Sequence, residues 1–96
     1  MPTRKEIDDL CDELGLEDIL LADGYDEAFI GFVQRFGLPL SALYDRNLYI
    51  RLLVERDGMT EEDAEEYFEF NVAGAYVGET TPAFAVLHYP KRGSDA

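Results

Sequence analysis

The chain has 96 residues, 47% of them apolar and 12% aromatic, and carries 21 acidic against 8 basic residues for a net charge of −13. That size and apolar content fit one domain with one modest core and argue against a disordered acidic tail. The carboxylate surplus argues against direct binding of nucleic acid or of an anionic membrane, both of which require clustered cations, and favours a basic protein partner or a cation.

In chain order, Thr3 to Leu14 reads as a first helix. Thr3 and Glu6 form a capping box, Ile7, Leu10, Cys11 and Leu14 follow at helical spacing, and Gly15 closes the end. Leu16 to Leu21 is a second apolar patch, one turn of helix or a short strand, followed by turn residues from Ala22 to Asp26. Ala28 to Phe36 is the best strand candidate, and Gly31 inside it points to a bulge or a close backbone approach. Gly37-Leu38-Pro39 breaks the run, and Leu40 to Tyr44 returns as an antiparallel partner. Asp45 or Asn47 caps a helix that ends at Gly58, with Leu48, Tyr49, Leu52, Leu53 and Val54 as its apolar positions and Ile50 beside them.

Thr60 caps a third helix whose first turn holds Glu61, Glu62 and Asp63, with Met59 stapling the entry. Its inward face is expected at Ala64, Tyr67, Phe68, Asn71, Val72 and Ala75. Ala83 to Tyr89 is a last strand, expected to pair with one strand of the hairpin. The order α-β-β-α-α-β predicts an α+β domain: a small, mainly antiparallel sheet with helices on one face. It occupies residues 1–90, with 91–96 as a flexible tail. No apolar run approaches the roughly 20 residues of a membrane span. The opening residues lead into an acidic helix and not an apolar signal core, and the lone Cys11 has no disulfide partner, so a cytoplasmic protein is expected.

The segments LADGYDEAFIGFVQRFG and YDRNLYIRLLVERDGMTEEDAEEYFEFNVAGAYVGETTPAF, together about Leu21 to Phe84, carry a distinctive pattern. An Ala-Asp-Gly-aromatic opening leads to Arg-Phe-Gly, Tyr-Asp, Gly-Met-Thr and then Glu-Tyr-Phe-x-Phe-Asn-x-x-Gly-Ala-Tyr-x-Gly-Glu-x-Thr-Pro. The chain in this respect resembles a family of short proteins of tailed bacteriophages and prophages. The resemblance implies a phage or prophage setting, in which many small acidic proteins act on host machinery. It implies no catalytic residues, and the first helix and the Lys-Arg tail lie outside it.

Residue chemistry points away from catalysis. There is no Gly-x-Ser-x-Gly, and Cys11 lies on an apolar helix face, where a free cysteine is usually a small core residue. The single histidine, His88, is expected on a half-exposed strand face. No cysteine–histidine zinc spacing and no twelve-residue calcium loop occur, so no metal or other cofactor is expected, although Asp23 and Asp26 share a loop. Gly74 and Gly78 lack the Lys-Ser/Thr of a phosphate-binding loop, and only Arg35, Arg46 and Arg51 could supply a cation cluster for a nucleotide.

The acids themselves cluster, ten between Glu6 and Glu27 without a basic residue, and nine between Glu55 and Glu79 against Arg56 alone. Carboxylates four apart on a helix are separated by about 6 Å along its axis, comparable with neighbouring phosphates. The expected function is therefore non-enzymatic: a phage-type acidic module that engages a host protein, with nucleic-acid-handling or defence proteins as first candidates, through charge mimicry or another surface. Glu61, Glu62, Glu65, Glu66 and Glu69 would form the acidic face, and Asp8, Asp9, Asp12 and Glu13 would extend it. Asn71 is the odd polar residue of the third helix's apolar face; it either pins the loop from Gly78 to Thr81 or contacts a ligand. A rival reading is thus a small-ligand or enzymatic corner at Asn71, Tyr76, Glu79 and His88. Another is a self-assembling protein pairing through the aromatic strand that contains Phe29, Phe32 and Phe36.

Overall fold

The computed structural model describes residues 2–74 and 78–87. Expectations for Ala75, Tyr76, His88, the end of the last strand and the 91–96 tail lie outside the described residues. The order of elements is α1 (Arg4–Leu14), β1 (Phe29–Val33), β2 (Ser41–Asp45), α2 (Arg46–Asp57), α3 (Glu61–Tyr67), a π-helical turn (Phe68–Ala73) and β3 (Ala83–Ala85), with a 3₁₀ turn (Asp26–Ala28) before β1. This is the expected α+β order. No helix among the described residues is long and apolar enough to cross a membrane.

Local signals act where the sequence puts them. Thr3 and Glu6 form the reciprocal capping box of α1, Asp45 accepts the N–H groups of Asn47 and Leu48 at the start of α2, and Thr60 accepts that of Asp63 at the start of α3. Gly15 and Gly58 close α1 and α2 in the left-handed conformation. The patch from Leu16 to Leu21 forms neither helix nor strand; Leu16, Ile19 and Leu21 instead pack as an irregular segment against the core.

The sheet has the order β1-β2-β3, and it is mixed. β1 and β2 form the expected antiparallel hairpin, but β3 runs parallel to β2, with Tyr44 opposite Phe84. A parallel partner needs a long crossover, and α2, α3 and the π-turn supply one. β1 is shorter than its apolar run: Gln34, Arg35 and Phe36 fall beyond it. The register of β1 slips between Phe29 and Gly31, leaving Ile30 as an extra residue, and Gly31 has a φ of 145° that a side chain would strain. The slip has a packing consequence. Residues three apart on a regular strand point to opposite faces, yet Phe29 and Phe32 meet edge to face at 5.3 Å between ring centroids.

β2 is the centre of the sheet and is buried at every position except the half-buried Leu43. Tyr44 is fully buried, and its ring meets Phe29 of β1, Tyr49 of α2 and Phe84 of β3 at 5.8, 6.4 and 6.1 Å. Its hydroxyl accepts the N–H of Ala22 at 2.8 Å, which ties the irregular loop to the sheet. The core continues through Ile7 and Cys11 of α1, Ile50, Leu52 and Leu53 of α2, Ala64 of α3 and Phe68. α2 is apolar nearly all round its middle turns because it sits between the sheet and α3.

Two predictions follow from this core. Tyr44→Phe leaves the Ala22 N–H without its acceptor and should cost about 1–3 kcal/mol in urea unfolding with the circular dichroism of the fold retained. Burial raises the pKa of Tyr25, Tyr44 and Tyr49. A raised phenol stays protonated when the same group in the unfolded chain ionises. The stability it contributes is complete below about pH 10 and falls as pH rises above it. In an alkaline titration, part of the phenolate absorbance should therefore appear together with loss of the helical signal.

Candidate functional site

The acidic third helix packs on the core through Ala64 and Phe68, and one arginine pairs with its carboxylates. Arg46, the first residue of α2, reaches Glu69 at 2.9 Å and Glu65 at 3.7 Å, and its guanidinium lies 5.3 Å from the centre of the Phe68 ring. The expected face is thereby divided. Glu65 and Glu69 are spent on this internal contact, whereas Glu61, Glu62 and Glu66 are exposed and take no part in an ion pair among the described residues.

On α1, Asp8, Asp12 and Glu13 are likewise exposed and outside the ion pairs of the described residues, and Asp9 is matched by Lys5 at 3.1 Å. The two helices are anchored at different places. Arg4 ties α1 to Asp23 at 2.8 Å and to Asp26 at 3.1 Å, while Arg46 ties α3 to α2. The Asp23–Asp26 loop is thus an arginine clamp, and among the described residues no group of three or more Asp, Glu, His or Cys side chains is placed to hold a metal ion.

The expectation for Asn71 requires correction. It is exposed, not on the buried face. The helix changes pitch at Phe68, and a π-turn advances each residue through a smaller angle than an α-turn. Phe68 stays fully buried and Val72 half-buried, but Asn71 swings outward. Tyr67, also expected inward, is 42% exposed, and Phe70 is 78% exposed. Asn71 lines a shallow hollow of about 440 Å³ with Met59, Asp63, Glu66, Tyr67 and Phe70. Gly74 ends the π-turn for a steric reason. A methyl there would stand 2.9 Å from the Glu69 carbonyl oxygen and 3.3 Å from that of Phe70.

The loop from Gly78 to Thr81 is pinned by other residues. The buried Ser41 donates to the Glu79 carbonyl at 3.2 Å, Thr80 donates to the Asp18 carbonyl at 3.0 Å, and Thr81 donates to the Gly78 carbonyl at 2.6 Å. Glu79 does not line the hollow that holds Asn71. Tyr76 and His88 lie outside the described residues, so the proposed corner is not assembled by those that are described.

The remaining candidates sort by environment. Cys11 is buried, and burial followed by Asp8 and Asp12 raises its thiol pKa, the opposite of an activated nucleophile. Arg46 and Arg51 line a groove of about 520 Å³ between α2 and α3 together with Glu55, Glu61 and Glu65, whereas Arg35 lines a different hollow beside Pro82. The three arginines therefore do not converge as a phosphate site. In the hairpin, Phe29 is buried and Phe32 half-buried; only Phe36 is fully exposed. The α-helical periodicity already leaves Phe70 off the inward face; what sequence reasoning missed is Asn71, whose outward turn depends on the pitch change. No family model, curated protein or solved structure matches the chain.

Gly74→Ala should push the Glu69 and Phe70 carbonyls away from residue 74 and destabilise the fold by about 1–3 kcal/mol, an overpacking cost. Amide NMR shifts should move from Phe68 to Gly74 and leave α1 unchanged.

Proposed function

We propose that the chain is a non-catalytic acidic module that docks on a basic surface of a host protein and modulates it. The observation that supports this reading is the division of charge. Each ion-paired cation is spent inside the domain, Arg4 on Asp23 and Asp26, Lys5 on Asp9, Arg46 on Glu65 and Glu69, and Arg56 on Glu27. The outward carboxylates Glu61, Glu62, Asp63 and Glu66 on α3, and Asp8, Asp12 and Glu13 on α1, stand outside the ion pairs of the described residues. Such a display contributes more to encounter rate and specificity than to folding.

The resemblance to phage and prophage proteins supports a bacterial host protein as the partner, with one that handles nucleic acid or acts in defence as the first to try. For mimicry of phosphates, Arg46 shortens the available row. Glu62 with Glu66 and Asp8 with Asp12 remain as outward pairs four apart, while Glu65 with Glu69 does not.

Affinity capture of the tagged chain from bacterial lysate, at low and high salt, tests the proposal. The expected result is a specific basic protein that is recovered at low salt, washes off at high salt, and is lost with Glu61, Glu62 and Glu66 changed together to Gln. Capture indifferent to salt and to these changes would overturn it. Recovery of nothing but a co-expressed untagged copy would favour self-assembly through β1, an edge strand among the described residues, near the exposed Phe36.

A further inference from the structure

The hollow outside the π-turn combines two features that oppose each other in water. Tyr67 and Phe70 expose their rings, and Asp63 and Glu66 stand beside them on the same wall. All four line the hollow. Asp63 precedes Glu66 by three residues and Tyr67 by four, and Phe70 follows Tyr67 by three and Glu66 by four. Met59, half-buried against the core, closes one side, and the Asn71 amide the other. Neither carboxylate takes part in an ion pair among the described residues, and Arg46, which pairs with the neighbouring carboxylates of this segment, is occupied by Glu65, Glu69 and the Phe68 ring.

Resting on the reading of the chain as a module for basic protein surfaces, we propose that this hollow receives an arginine side chain of the partner. A guanidinium is the group that fits such a wall. It is planar and weakly hydrated, stacks on aromatic faces, and forks its N–H donors onto carboxylates. The hydrocarbon stem of the arginine would lie against Met59 and Phe70, which removes apolar surface from water at the same contact. An isolated acidic face would attract any cation. The exposed aromatic pair selects among them. The π-turn completes the site, since it turns the Asn71 amide outward beside the exposed Phe70 while Phe68 stays in the core. Helical irregularities of this kind recur at functional positions.

The test is a titration of the full chain, followed by amide NMR, with three blocked peptides: Leu-Arg-Leu, Leu-Lys-Leu and tetralysine. Leu-Arg-Leu should shift the signals of Asp63, Glu66, Tyr67, Phe70 and Asn71 before any on α1. Phe70→Ala should weaken it about fivefold, and Phe70→Tyr should retain it. Because Phe70 is 78% exposed, both variants should fold, which circular dichroism checks. An equal response to Leu-Lys-Leu overturns the choice of arginine. Shifts spread evenly over α1 and α3 and unchanged by Phe70→Ala overturn the site, yet leave the general attraction to basic surfaces standing. No response even to tetralysine counts against that broader reading as well.

Discussion

The burial of Tyr44 is the constraint on which the other elements depend. Its strand is central, so its ring must be satisfied from both neighbouring strands and from α2, while its hydroxyl must find a partner inside the protein. Phe29, Phe84 and Tyr49 supply the first and the Ala22 N–H the second. Each contact sets a register. The bulge at Ile30 lets Phe29 and Phe32 share a face, and the parallel approach of β3 places Phe84 against Tyr44, Tyr49 and Phe68. Aromatic rings bring large buried area and demand specific angles, so a chain of modest size can define one core with few long side chains.

Electrostatics is organised around scarcity of cations. With eight basic residues against twenty-one acids, the domain cannot neutralise itself. It uses its arginines as structural ties instead. Arg4 joins α1 to the loop, and Arg56 joins the end of α2 to Glu27 while lying 5.5 Å from the centre of the Tyr25 ring. Arg46 joins α2 to α3. Exposed pairs of this kind contribute little stability one at a time. Their larger effect is to decide which carboxylates are matched by a cation within the domain and which stand outside its ion pairs. Self-repulsion among the rest is a standing cost to the compact state, and a basic partner would relieve it.

The π-turn links the core to the surface. Phe68 is needed inside, where it meets Tyr49, Phe84 and Arg46, and the widened turn that follows puts Asn71 outside beside the exposed Phe70. Gly74 then leaves room for the carbonyls of Glu69 and Phe70, which a side chain at that position would crowd. A helix continued in regular α form would have put Asn71 on the inner face, with an amide to satisfy. The change of pitch removes that problem and sets the amide beside the exposed rings of Tyr67 and Phe70.

What the sequence determined by itself was local. The caps at Thr3, Asp45 and Thr60, the terminators Gly15 and Gly58, the bulge glycine, the order of elements and the class of fold all follow from interactions within a few residues, whose chemistry is written in the neighbouring letters. The clustering of acids was legible in the same way. The tertiary structure decided the rest. The direction of β3 depends on how a crossover of three helical segments returns to the sheet, and no local signal encodes that. Which acids are spent depends on where Arg46 reaches, a contact across 19 to 23 positions of sequence. The fate of Asn71 depends on the pitch of one turn, because a periodic reading assumes a constant angle per residue and the segment from Phe68 does not keep it.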